Sequence, residues 1–181
     1  MANTKSIIAI SDSDIVAAYS AVTGYNPSTG DKDVGASCLD VLNYWRNQGI
    51  AGHKIYAYAK INIRNIQQVK TAIYLFGGVY LGFQLPVSAK KQDIWEVPPT
   101  GAYLGDGMSG SWGGHCVCAI GYDSQYIYLI TWGAIKKATW NFFSNYCDEG
   151  YAIISKDFIG SKAPNGFDFQ ALQADLNSLS V

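Results

Sequence analysis

Residues 113 to 123 read Gly113-Gly114-His115-Cys116-Val117-Cys118-Ala119-Ile120-Gly121-Tyr122-Asp123. The apolar run after the glycine pair predicts a β-strand, in which alternate side chains point to opposite faces of a sheet. His115 is one of only two histidines in the chain. It stands where a glycine-rich loop turns into the strand, and such loops often border a cleft. The stretch therefore predicts a strand that carries a candidate catalytic imidazole.

A second stretch, far upstream, supplies a candidate nucleophile. Ser37 offers an N-cap acceptor in front of an apolar, helix-periodic segment that begins at Cys38 and ends before Gly49. A thiolate is stabilised by the positive end of a helix and by a neighbouring imidazolium. Cys38 followed by His115 therefore predicts a thiol hydrolase, with His115 as general base and then general acid. We expect the Cys38 sulfur and the His115 ring to lie within about 4 Å of each other.

A structural role for Cys38 is the alternative, because it shares one helix face with Val41, Leu42 and Trp45. The other three cysteines are expected to be buried thiols without disulfides. Cys116 and Cys118 point away from His115 on the strand, and Cys147 falls in an aromatic helix that starts at Trp140. The second histidine, His53, falls in a turn and is interpreted as a surface residue.

Composition bounds the class of protein. The 181 residues are 49% hydrophobic and 14% aromatic, which favours one packed globular domain with a substantial core. The net charge is −1 and the basic residues are scattered, so no nucleic-acid partner is expected. No apolar run is long enough to span a membrane, and residues 7–10 are too short for the apolar region of a secretory leader. We therefore expect a cytoplasmic protein with reduced thiols, no metal and no cofactor.

Apolar periodicity and turn residues predict the order of the elements. Ser11 caps a first helix that closes at Gly24, and a glycine-rich loop at 98–114 leads into the His115 strand. Further helices are expected at 65–77, 140–147 and 169–179, and further strands at 55–63, 78–85, 126–133 and 149–154.

In this order, residues 30 to 157 resemble the papain-like cysteine peptidase superfamily. Gly78-Val79 is similar to the family's glycine-led entry into a central strand. Trp132-Gly133 is similar to the end of its Asn-Ser-Trp-Gly strand, and Gly150-Tyr151 to its closing Gly-Tyr strand. The Trp-Gly and Gly-Tyr matches are the sharpest.

The resemblance implies an α+β, papain-like fold. In it, an N-terminal helix bearing the cysteine packs against a mostly antiparallel sheet or half-barrel that carries the histidine. A single domain over 1–181 is expected, made of an N-terminal helix and turn (1–30), a core (31–157) and a helical tail (158–181). A peptide or amide substrate is implied, with substrate-binding positions at Trp112, Gly113, Gly114 and Gly78.

The chain departs from the family at three positions near the expected site. Ile130 stands where the family has the Asn that orients the imidazole, so the neighbouring Thr131 is the candidate third catalytic residue. Strand alternation allows only one of these two side chains to face the cleft. Val34, rather than the oxyanion Gln, precedes Gly35, and Leu39 replaces the aromatic residue that usually follows the nucleophile.

Two alternatives to a peptidase stay open. The segments 39–45 and 139–143 resemble a divergent papain-like group associated with bacteriophage genomes, some of whose members lack the cysteine. The missing Asn and Gln equivalents are compatible with a catalytically decayed module that binds a protein partner, for instance in a phage particle, and the protein would then lie in the host cytoplasm or the virion. A cell-wall amidase or endopeptidase is the other alternative, since it shares the order of cysteine and histidine.

Overall fold

The computed structural model describes residues 9–155 and 168–178. Over these ranges the chain forms five α-helices and a seven-stranded sheet. The helices are α1 (Asp12–Thr23), α2 (Cys38–Asn47), α3 (Ile66–Phe76), α4 (Trp140–Tyr146) and α5 (Phe169–Ser178). The strands are β1 (Ile55–Lys60), β2 (Val79–Leu85), β3 (Ile94–Trp95), β4 (Gly113–Tyr122), β5 (Tyr126–Thr131), β6 (Ala134–Thr139) and β7 (Cys147–Ser155).

The chain divides into two compact units. The first contains the residues up to Tyr58 together with those from Ile154 onward, and the second contains Ala59–Ile153. The expectation of a single domain stays a prediction. Cys38 belongs to the first unit, and both His115 and Thr131 belong to the second.

In the first unit, α1 and α2 contact each other and each begins at a side-chain cap. The hydroxyl oxygen of Ser11 accepts a hydrogen bond from the backbone N–H of Asp14, and Ser37 accepts one from Asp40. These caps satisfy N–H groups that the first turn of a helix leaves without partners. α1 ends at Gly24, whose φ of +77° is the left-handed conformation that glycine adopts at little cost.

The second unit contains β2 to β6 and most of β7, which lie in the sheet in the order β7-β2-β4-β5-β6-β3. β2 pairs antiparallel with β4 on one side and with β7 on the other. β5 and β6 continue the antiparallel meander, and β3 pairs parallel with β6. The sheet is thus mostly antiparallel, as the sequence predicts.

The core of the second unit lies on one face of the sheet. Large buried side chains from three elements, β2, β3 and α4, meet there: Phe83, Trp95, Phe142, Phe143 and Tyr146. The Tyr146 hydroxyl donates to the Gly107 carbonyl, 2.7 Å away, and so ties the glycine-rich loop to α4. Thr131 is also buried, although its side chain is polar.

Several predicted boundaries need correction. β1 ends at Lys60 rather than near residue 63, and β4 begins at Gly113, two residues before His115. Cys147 is the first residue of β7 rather than part of the aromatic helix. Its backbone is extended (φ −78°, ψ 127°), so the chain passes from α4 into the strand without a loop. The sequence does not predict strands β3 and β6, since neither has a clear alternation of apolar residues.

Some expectations fall on residues 1–8, 156–167 and 179–181. They concern the apolar segment near the N-terminus, the end of the core at residue 157, the start of the tail at residue 158 and the end of the tail helix at residue 179. All of these lie outside the described residues. The described part of the tail is helical, as expected, over Phe169–Ser178.

Candidate catalytic site

The imidazole of His115 is held by two neighbours in the second unit. Its Nε2 atom lies 2.6 Å from the Thr131 hydroxyl oxygen, within hydrogen-bond distance. Its ring stacks on the indole of Trp132, with 4.4 Å between ring centroids and 14° between planes. His115 itself is half-buried on β4, where it pairs with Phe83 of β2. One ring nitrogen and one ring face are therefore fixed by protein contacts.

Thr131 reaches His115 because of the strand register. β4 and β5 pair Ala119 with Leu129, which places Thr131 beside the end of β4 that carries His115. Ile127, Leu129 and Thr131 are buried on one face of β5, and Ile130 on the other face is 45% exposed. Of the two side chains that alternation allowed to face the imidazole, the structure selects Thr131. The expected hydrogen bond between Thr131 and His115 is present, and its catalytic role stays a prediction.

A strained hairpin turn positions Trp132. Thr131 pairs with Ala134, and the two residues between them have positive φ angles, +46° at Trp132 and +72° at Gly133. Two-residue hairpins with this geometry favour Asn-Gly, because both central residues must adopt left-handed conformations. A bulky aromatic residue is a genuine outlier there. The Trp-Gly pair therefore holds an indole over the imidazole at a cost in backbone strain.

The electrostatic environment of His115 favours its neutral form. Partial burial lowers the pKa of His115 from its usual value, since the charged imidazolium loses solvation. With a proton on Nε2, the ring donates to the Thr131 hydroxyl, and Nδ1 keeps a lone pair that can accept a proton. Because the Thr131 hydroxyl can equally donate to an unprotonated Nε2, the contact fixes the orientation of the ring and not its tautomer.

Cys38 is the first residue of α2, as the sequence predicts. Its side chain is 4% exposed. The cap in front of it is well formed: the Ser37 hydroxyl accepts from the Asp40 N–H at 3.1 Å and donates to the Asp40 carboxylate at 2.7 Å. The N-terminal end of a helix stabilises a thiolate. Because Cys38 and His115 lie in different units, the expected separation of about 4 Å stays a prediction.

The residues expected to bind substrate fall into two groups. Trp112 stacks on Trp132 with ring centroids 5.4 Å apart, and Gly113 and Gly114 are the first residues of β4. These three lie next to His115. Gly78 precedes β2 at the end where Val79 pairs with Ala119, away from the pair of Phe83 with His115. A side chain at Gly78 would approach the Cys118 sulfur at 3.2 Å, so this glycine permits close packing against β4.

The four cysteines form no disulfide, as expected. Cys147 is buried, but Cys116 and Cys118 are only half-buried, so the expectation that all three would be buried is wrong for these two. They lie on the less covered face of β4, opposite Val117 and Ala119. Burial raises the pKa of Cys147 well above its usual range, helped by the neighbouring Asp148, and burial also raises the pKa of Cys118. Both thiols are therefore poor nucleophiles.

Two contacts near His115 go beyond what the sequence predicts. The sequence identifies Trp132 only as part of a Trp-Gly motif, and the stack of Trp112, Trp132 and His115 depends on the hairpin turn. The Lys90 ammonium lies 5.2 Å from the centre of the Trp112 ring and extends this stack with a cation–π contact. The strand expected at 126–133 is two residues too long: β5 ends at Thr131, and Trp132 and Gly133 form the turn.

Comparison of the structure with solved structures gives the fold. A cysteine protease from Carica candamarcensis matches with a TM-score of 0.55 and 15% sequence identity, over 84% of this chain and 80% of that one. The fold is that of the papain-like cysteine proteases. Xylellain, a cysteine protease from Xylella fastidiosa, matches with a TM-score of 0.47 and 19% identity, over 73% of this chain and about half (52%) of that one. In sequence, no family model and no curated protein matches.

The described residues offer neither a metal site nor a membrane-spanning helix. No group of three or more His, Cys, Asp or Glu side chains within residues 9–155 and 168–178 could hold a metal ion. Within the same ranges, no helix combines the length and apolar character needed to cross a bilayer.

Proposed function

We propose that this protein is a thiol-dependent hydrolase that cleaves peptide or amide bonds, with Cys38 as nucleophile, His115 as general base and acid, and Thr131 as the residue that orients the imidazole. The observation that carries the proposal is the 2.6 Å contact between Thr131 and His115 under a papain-like fold. A histidine with one nitrogen bound to a buried hydroxyl and one ring face covered by an indole is oriented for proton transfer.

In the first half of the reaction, the Cys38 thiol gives its proton to Nδ1 of His115. The thiolate then attacks the substrate carbonyl carbon, and the electron pair of the C=O bond moves to oxygen. The backbone N–H of Cys38, in the first turn of α2, is the proposed donor to that oxyanion. Collapse of the intermediate breaks the C–N bond, the imidazolium protonates the leaving amine, and a thioester remains on Cys38.

In the second half, His115 removes a proton from water, and the hydroxide attacks the thioester carbonyl. The C–S bond breaks, the carboxylic acid leaves, and the thiol is restored by the proton on His115. Thr131 keeps Nε2 occupied throughout, so that Nδ1 is the atom that exchanges protons. A hydroxyl is a weaker and more mobile partner than the amide oxygen of an Asn, so this orientation is expected to be looser than in relatives with the Asn.

Hydrolysis of an activated ester tests the proposal. Cys38→Ala serves as the blank, and Cys147→Ala is the control for the loss of a cysteine elsewhere in the chain. The native protein and Cys147→Ala are expected to turn over the ester at similar rates, and Cys38→Ala at the rate of buffer. Peptides and peptidoglycan fragments, offered separately, then distinguish a peptidase from a cell-wall amidase. If the native protein and Cys38→Ala hydrolysed the ester at equal rates from acid to alkaline pH, the proposed hydrolase function would be contradicted.

A non-catalytic binding module is a second candidate. Two observations favour it. Ile130, at the position expected for the family's orienting Asn, projects to solvent, and the turn before Cys38 has no Gln side chain to stabilise the oxyanion. In that case the papain-like fold would present a surface to a protein partner, such as a component of a phage particle. The same ester assay separates the two candidates, because the module would leave the ester unchanged.

A further inference from the structure

The hydroxyl of Tyr19, on α1, bridges two points of the turn that precedes Cys38. It donates to the Asp33 carboxylate at 2.9 Å and accepts from the backbone N–H of Gly35, also at 2.9 Å. Both partners lie in the five residues immediately before the nucleophile helix. The Tyr19 hydroxyl therefore ties α1 directly to the chain that leads into α2.

The two hydrogen bonds to the Tyr19 hydroxyl flank a turn in which Gly35 adopts a left-handed backbone conformation. Gly35 has a φ of +77°, a left-handed value, yet a Cβ at this position would meet nothing within 4 Å. Backbone conformation rather than space therefore constrains Gly35. Val34, between the two bonded residues, is 82% exposed. The Val34 side chain therefore projects into solvent and does not anchor the turn, whereas the two hydrogen bonds to Tyr19 do.

Tyr19 is itself firmly placed on α1. Its ring packs on Tyr25, with centroids 5.3 Å apart and planes inclined by 51°. The Thr23 hydroxyl donates to the Tyr19 carbonyl at 2.8 Å and accepts from the Tyr25 N–H at 3.0 Å, which joins the end of α1 to the next residues. The hydrogen bond to Asp33 raises the pKa of Tyr19, so the phenol stays protonated and keeps donating at neutral and mildly alkaline pH.

We infer that Tyr19 is a positioning residue for the nucleophile: by clamping Asp33 and Gly35 it fixes where α2 begins, and with it the direction of the Cys38 thiol and backbone N–H. The inference rests on the proposed function of Cys38 and adds α1 to the parts of the chain on which that function depends. Small displacements of a reacting group are costly, and about 1 Å can reduce a rate on the order of a hundredfold.

The test compares Tyr19→Phe with Tyr25→Phe. Each variant loses one hydroxyl and keeps its aromatic ring, but it is the Tyr19 hydroxyl that bonds to the turn before Cys38. The measurements are kcat and KM for an activated ester, the alkylation rate of Cys38 read from the mass of its peptide, and the melting temperature. Tyr19→Phe is expected to lower kcat about tenfold or more with KM little changed, and to change the alkylation rate of Cys38 in the folded protein. Tyr25→Phe is expected to leave all of these unchanged.

Asp33→Ala removes the same hydrogen bond from the side of its acceptor, and Asp33→Asn retains an acceptor oxygen. Asp33→Ala is expected to reproduce the effect of Tyr19→Phe, Asp33→Asn to retain most of the native kcat, and the double variant Tyr19→Phe/Asp33→Ala to be no worse than either single variant. A folded Tyr19→Phe protein with native kcat and native Cys38 alkylation would overturn the inference. Failure of the proposed function looks different: native protein and Cys38→Ala would share one ester rate, and Cys38 alkylation would still report whether Tyr19 positions the thiol.

Discussion

The hydroxyl oxygen of Thr131 lies 2.6 Å from Nε2 of His115, and the indole of Trp132, the next residue, stacks on the same imidazole. Consecutive residues of one hairpin thus supply a hydrogen bond to the ring and a cover for its face. The hydrogen bond comes from Thr131 rather than Ile130 because the face of β5 that carries Ile130 points to solvent.

Replacing Thr131 tests the hydrogen bond. Thr131→Val keeps the shape of a buried side chain and removes the hydroxyl, so we expect ester turnover to fall roughly tenfold, which corresponds to about 1.4 kcal/mol. Thr131→Ser retains the oxygen and is expected to recover most of the native rate. The comparison requires both proteins to be folded, which circular dichroism and the melting temperature check. Equal turnover in the Val and Ser variants would show that the hydroxyl does not orient the ring.

Replacing Trp132 tests separately how its backbone strain affects stability and how its indole affects ester turnover. Trp132→Asn creates the Asn-Gly pair that this hairpin geometry favours, and relief of left-handed strain is worth about 1–3 kcal/mol. This gain opposes the loss of ring stacking, so we expect the free energy of unfolding to change little while turnover falls. Denaturant unfolding and ester turnover measure the two effects. Ile135→Asn, which replaces an exposed apolar residue on β6, is the control for a polar substitution nearby. A Trp132→Asn protein that keeps native turnover would contradict a role for the indole.

Local signals in the sequence predict individual elements, whereas the papain-like fold is expected from the family resemblance. Helix caps at Ser11 and Ser37 lie where expected, since each side chain accepts a bond from the first turn of its helix. The alternation in 126–131 allows only one of Thr131 and Ile130 to face inward, and the structure buries Thr131. These features depend on neighbours in sequence, which a single chain reveals.

The features that the sequence does not predict depend on contacts between distant residues. The stack of Trp112, Trp132 and His115 joins three segments through the strand register and the hairpin turn. The bridge from Tyr19 joins residues 14 and 16 positions apart, and no spacing rule predicts it. Cys116 and Cys118 are likewise partly exposed because other parts of the chain cover their face of β4 incompletely. Alternation in the sequence predicts which face a side chain is on, but it does not predict how well that face is covered.

Partial burial of His115 predicts a specific pH response. Its folded-state pKa is lowered, so between that value and the unfolded value near 6.5 the unfolded chain binds more protons. The contribution of His115 to stability is therefore lost as the pH falls through this window. Nuclear magnetic resonance of the ring protons measures the pKa in the double variant His53→Gln/Cys38→Ala, which leaves a single histidine and removes the thiolate that would raise the pKa of His115 on pairing. A midpoint at or above about 6.5 in this variant would contradict the lowering of the pKa by burial.

The remaining cysteines are expected to react slowly. Burial raises the pKa of Cys147 far above neutrality, so its thiolate is scarce, and the pKa of Cys118 is raised in the same way. Alkylation at neutral pH followed by peptide mass analysis should therefore modify Cys147 only after denaturation. The mass of the unreduced protein should equal that of the reduced protein with four thiols, because none of the four cysteines forms a disulfide. Rapid modification of native Cys147 would disprove its burial.

The most direct test of the central claim is the pH dependence of Cys38 alkylation by iodoacetamide, measured peptide by peptide in the native protein and in His115→Asn. If Cys38 and His115 share a proton, Cys38 in the native protein reacts much faster at neutral pH than the other three thiols, and its rate begins to rise well below the usual thiol pKa of about 8.5. His115→Asn is then expected to shift this rise to the range of an ordinary thiol. Identical pH profiles for the native protein and His115→Asn would contradict the pairing of Cys38 with His115.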